Sequence, residues 1–149
     1  MNKKIGLVLM GVALVFFVSA FGSFLAEALE ISVPSSVDAM EKGFANYFWF
    51  TLFLAVIVAP LCEEFMYRLL PIRVVKKYTS DMRIIWLVIM LSSTLFGLAH
   101  GSLANIFVQG ATGLVFGWIY LKGGYWAAVL THALYNGLVI SIFFLKIYN

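Results

Sequence analysis

Five long apolar runs divide the chain, with polar residues gathered between them. They extend over about Ile5 to Leu25, Tyr47 to Leu70, Ile84 to His100, Leu103 to Leu121 and Tyr125 to Leu145. Each holds roughly 17–24 residues, the length at which a helix crosses ~30 Å of hydrocarbon. A backbone in lipid must satisfy its own N–H and C=O groups, which leaves helices or a closed barrel. Long runs without alternation select helices. The second run is predicted to continue as a wetter helix to Lys77. The pattern therefore predicts an all-α, polytopic transmembrane helical bundle of about five membrane-spanning helices. No linker, repeat or low-complexity tract interrupts it, so residues 1–149 read as a single membrane domain.

Composition strengthens this picture. The chain is 63% hydrophobic and 11% charged, and its mean hydropathy is +1.00. Soluble domains are nearer half apolar and a quarter charged. The net charge of +3 comes without a basic block interleaved with aromatics, so the expected surroundings are a lipid bilayer and no nucleic acid. A single cysteine, Cys62, excludes an intrachain disulfide.

Lys and Arg set the expected orientation. With the N-terminus inside, Lys3, Lys4, Arg68, Arg73, Lys76, Lys77, Arg83 and Lys122 fall on or near the inner side, eight of the ten basic residues. Lys42 and Lys146 fall outside, as does the acidic first loop with Glu27, Glu30, Asp38 and Glu41. Trp49, Trp86, Trp118, Tyr125 and Trp126 lie near run ends, where interfacial aromatics belong. The first run has a rival reading as a signal peptide with a weak cleavage site at Ala26-Glu-Ala28, although it is long for that purpose.

Ionisable residues inside a membrane are expensive and point to function. Within the runs they are Glu63, Glu64 and Arg68, then His100, then His132, which is accompanied by Asn136; the chain has no other histidine. Glu64 and Arg68 stand i,i+4 and can pair on one helix face. Glu63 is about 100° round the helix from Glu64 and can point into the bundle, with Tyr67 on its own face. His132 and Asn136 are also i,i+4, as are Phe96 and His100. Glu63 and His132 each lie ten residues from an inner-side cation, about 15 Å deep at 1.5 Å per residue. His100 lies about 25 Å from Arg83 on the same scale, a mismatch that a helix break at Gly97 or Gly101 would reduce. Gly110, Gly113 and Gly117 read as close helix packing. Asn105 and Gln109 read as polar helix-end groups and Cys62 as a small apolar side chain.

A carboxylate screened from bulk water can act as a general base on a water attacking a carbonyl. Histidines can donate to an oxyanion or hold a metal, and two His with one Glu is a zinc-ligand set in hydrolases. An Asn amide can also serve an oxyanion. The constellation points to amide hydrolysis and leaves the metal open. If a divalent metal such as zinc binds, its candidate ligands are Glu63, His100 and His132.

Three motifs carry a resemblance. Glu63-Glu64-Phe-Met-Tyr-Arg68 resembles the EExxxR motif of the CAAX-protease and bacteriocin-processing family of intramembrane proteases, also called Abi proteins. Phe96-Gly-Leu-Ala-His100 is similar to its FxxxH motif and His132-Ala-Leu-Tyr-Asn136 to its HxxxN motif, in the same order. The resemblance covers about residues 47–136. It implies an intramembrane protease whose Glu63 activates water with help from His100, while His132 and Asn136 stabilise the oxyanion. Glu64, Arg68, Tyr67 and Phe96 would support the site. The family has been described both as metal-dependent and as a metal-free glutamate protease, and five runs are fewer than many relatives have. The expected substrate is a peptide or membrane protein at a bacterial plasma membrane. Two other classes remain: a bacteriocin self-immunity or binding protein acting without catalysis, and a proton-coupled carrier, which the lack of an inverted repeat disfavours.

Overall fold

The computed structural model describes residues 3–31 and 37–148. The side chains of Asp38, Glu41, Lys42 and Lys146, which enter the charge pattern, lie outside the described ones. Five helical stretches and no strand occur among the described residues. Helix α1 is Lys3–Ala28. Helix α2 covers 37–75, kinked at Tyr47 (φ −143°, ψ 53°). Helix α3 is Met82–Ala99. Helix α4 covers 104–123, and α5 is Tyr125–Tyr148.

Four stretches are long and apolar enough to cross a membrane: Lys3–Ala28, Asn46–Val75, Met82–Ala99 and Tyr125–Leu145. The fourth run, expected to be a fifth span, is helical but is not among them. It opens with Asn105 and Gln109, and its first turns are wound as a π-helix over Ile106–Gly110.

Local chemistry explains the breaks. Asp81 caps α3, its Oδ1 accepting the Arg83 N–H at 2.8 Å, as Asp does at helix N-termini. Helix α3 ends at Ala99, and Gly101 follows at φ 92°. A break at Gly101 is one of the two that would reduce the depth mismatch of His100. Gly124, at φ 81°, separates α4 from α5 alone, its N–H bonded to Tyr120 O; only glycine takes that backbone at no cost.

Helix α2 carries two more π-turns, Leu54–Val58 and Phe65–Leu69, on either side of Ala59–Glu64. In the first, the Ala59 N–H bonds Leu54 O; in the second, the Leu70 N–H bonds Phe65 O. The next acceptors in that register, Ala55 O and Met66 O, would face residues 60 and 71. Both are prolines and have no N–H. Each proline thus frees a backbone carbonyl beside the charged segment.

Helix α1 is packed into the bundle against α4 and α5. It buries Val8, Val12 and Val15, and a Cβ at Gly22 would collide with the backbone carbonyl of Phe107. Tyr135 of α5 donates its hydroxyl to Ser19 Oγ at 3.0 Å. On the other side, Ile72 of α2 packs with Ile85 and Ile89 of α3. The charged part of α2 is thereby held against α3, α4 and α5.

Candidate active site

Glu64 is fully buried and Arg68 is 1% exposed. They form the expected i,i+4 pair, Arg68 Nε standing 3.5 Å from Glu64 Oε2. Glu64 also does something the periodicity does not predict. Its Oε1 accepts from His132 Nδ1 at 2.9 Å, joining α2 to α5. The other ring nitrogen of His132, Nε2, lies 3.7 Å from Glu63 Oε2. His132 thus stands between the two adjacent glutamates. The Glu63 side chain is 28% exposed, against 6% for His132, so Glu63 is the member of the trio that an entering molecule can reach.

Aromatic rings wall the cluster. Phe116 of α4 stacks on the His132 ring (centroids 4.5 Å apart, planes 14°). Phe96 meets His132 edge-on at 6.1 Å and Tyr67 at 5.3 Å. The Arg68 guanidinium lies 4.5 Å from the Phe96 centroid and 5.5 Å from that of Phe116. Arg68 Nη1 and Nη2 have no hydrogen-bond acceptor among the described residues. The π-faces are what offset their desolvation. Gly113 makes this possible: a Cβ there would stand 2.6 Å from Arg68 Nη2 and 3.0 Å from Ser93 Oγ.

Asn136 shares the His132 face of α5, one turn on, and its Nδ2 donates to Ala55 O at 2.9 Å. That is the carbonyl freed by Pro60. Tyr125, earlier on α5, donates to Leu61 O at 2.9 Å. Two side chains of α5 therefore grip the main chain of α2 on either side of Pro60.

His100 sits at the end of α3 and is exposed. Its Nδ1 donates to Phe96 O at 2.8 Å and its ring lies edge-on to Phe96 at 4.7 Å. The carbonyl of His100 accepts from Asn105 Nδ2 at 2.7 Å, so Asn105 is the helix-end group it was expected to be. The Phe96 ring thereby stands edge-on to both His100 and His132. Among the described residues no three His, Cys, Asp or Glu side chains come close enough to hold a metal. Of the expected donor set Glu63, His100 and His132, the structure brings Glu63 and His132 within 3.7 Å of each other.

Several contributors escape sequence reasoning. Phe116, Ser93 and the Ala55 carbonyl carry no ionisable group. Only Pro60, which has no N–H to offer, signalled that a carbonyl nearby would need a side-chain donor.

The fold and the cluster define a multi-pass helical membrane protein with an acid–histidine centre inside the bundle. The family description "Type II CAAX prenyl endopeptidase Rce1-like" matches residues 45–138. This is more than half of the chain, and the protein belongs to that family. No curated protein and no solved structure matches it.

Proposed function

We propose that this protein is an intramembrane endopeptidase that hydrolyses a peptide bond in a peptide or membrane-associated protein. The observation that carries the reading is the placement of His132 between two carboxylates. With Nδ1–H donated to Glu64, His132 presents an unprotonated Nε2 toward Glu63. Two acceptors 3.7 Å apart are close enough for one water to donate to both. Glu63, the more accessible of the two acids, takes the proton as the water oxygen attacks the carbonyl carbon. It then gives that proton to the departing amine as the peptide C–N bond breaks, and the carboxylate is regenerated.

The remaining residues have supporting tasks in this reading. Glu64 and Arg68 fix the tautomer and tilt of His132, and Phe116 holds its plane. One Asn136 N–H is committed to Ala55 O; the second is the candidate donor to the oxyanion. His100, at the exposed rim, meets the substrate or its carbonyl oxygen. No step passes through a metal. The N-terminus lies on the cytoplasmic side of a bacterial plasma membrane, as the distribution of Lys and Arg favours.

The test compares wild-type and Glu63→Gln protein in liposomes, scoring cleavage of peptides found to accumulate in membranes of cells that carry the variant. Loss of cleavage in folded Glu63→Gln protein supports the reading. Cleavage at the wild-type rate overturns it, and would leave the binding or immunity role as the better one.

A further inference from the structure

A cleft of about 480 Å³ opens between the first turns of α1 and the start of α5. Its size is in the range of small-molecule sites, roughly 300–1,000 Å³. Leu9, Trp126, Leu130 and Leu134 supply apolar walls, and Lys4 is the charged residue in the lining. No member of the Glu63–His132–Glu64 trio lines it. The turn Gly123–Gly124 closes one end, and the space where a Gly124 side chain would stand is empty to 4 Å.

We propose that this cleft binds an anionic phospholipid of the leaflet on the Lys4 side. Both walls are helices long and apolar enough to span a membrane, so in a bilayer the cleft would open toward lipid near the end of each span. An apolar cleft there takes an acyl chain in preference to water. Charge complementarity selects the headgroup. Lys4 stands in the wall, Lys3 precedes it, and Lys122 precedes the closing glycine. No acid lies in the lining. Lysines at a membrane surface attract negatively charged headgroups, and the attraction is screened by salt.

The experiment uses Trp126 as the reporter. A protein with Trp49→Phe, Trp86→Phe and Trp118→Phe is placed in phosphatidylcholine vesicles containing equal mole fractions of brominated phosphatidylglycerol or brominated phosphatidylcholine. The expected result is a preference of about fivefold for the anionic quencher. It shrinks as salt rises, disappears in Lys4→Gln and survives in Lys4→Arg. A companion protein keeping only Trp49, at the far end of its span, shows no such preference. Equal quenching by the two lipids overturns the proposal. So does a preference that Lys4→Gln and salt leave unchanged, or one that Trp49 reports equally. Should the triple variant fail to fold, native mass spectrometry of the full chain in detergent, with both lipids added in equal amounts, reads the same preference for wild type and Lys4→Gln.

Discussion

The Nδ1 of His132 lies 2.9 Å from Oε1 of Glu64, a bond that spans 68 positions in the chain and ties α5 to α2. It turns Glu64 from the partner of one arginine into the hub of a buried three-residue network. The consequences for stability and for chemistry are separable.

Removing Glu64 strands a buried cation. Glu64→Gln leaves Arg68 desolvated without its salt-bridge partner, and one-sided loss of a buried pair costs about 3–5 kcal/mol. Arg68→Met does the reverse. The double variant Glu64→Gln/Arg68→Met leaves no unpaired charge, and is expected to recover much of the loss. Denaturant unfolding in detergent micelles measures all three, with a coupling energy that departs from additivity.

Gly113 supplies the space for the Arg68 guanidinium. A methyl group at that position stands 2.6 Å from Nη2, so Gly113→Ala is expected to destabilise by about 1–3 kcal/mol through overpacking. Gly22→Ala, which meets the backbone carbonyl of Phe107, is expected to fall at the upper end of that range because a main chain cannot rotate aside. The same unfolding measurement, applied to both, checks the order.

Pro60 and Asn136 should behave as one device. Pro60→Ala restores a backbone N–H that competes for Ala55 O, the acceptor Asn136 now uses. Asn136→Ala removes the other side of the contact. Each is expected to lower the cleavage rate, and the double variant to lose little more than the worse single one. Additive losses would show that the two positions act separately.

The polar residues of the candidate site stand out in the sequence because intramembrane charge is costly and therefore sparse. Glu63, Glu64, Arg68, His100, His132 and Asn136 stand out from apolar surroundings, and the Glu64–Arg68 pair follows from helix geometry alone. The division of labour between the glutamates was harder to read. A regular 3.6-residue period turns Glu63 into the bundle and leaves Glu64 for Arg68. In the structure, the imidazole has a nitrogen on each side of its ring, and so meets both acids. The π-turns on either side of Ala59–Glu64 also depart from that period, and nothing in apolar periodicity announces them. Gly113 and Gly117 read alike as packing glycines, yet Gly117 meets Ile89 while Gly113 meets Arg68. That difference depends on which side chain the neighbouring helix presents.

Phe116 holds the His132 ring by stacking, with planes 14° apart. Phe116→Leu keeps the volume apolar but removes the flat face. It is expected to reduce the cleavage rate while shifting stability by about 1 kcal/mol, within the range for conservative core exchanges. Steady-state kinetics beside an unfolding curve separate the two effects.

The central claim is that Glu63, the accessible acid facing His132 Nε2, activates the attacking water. Its most direct measurement is single-turnover cleavage by purified protein in liposomes, comparing wild type with Glu63→Gln at matched folded fraction. General-base catalysis contributes about 10²–10⁴-fold. The expected result is a loss of that size in Glu63→Gln, with Arg68, Glu64 and the unfolding midpoint undisturbed. A Glu63→Gln protein that cleaves at the wild-type rate would contradict the account.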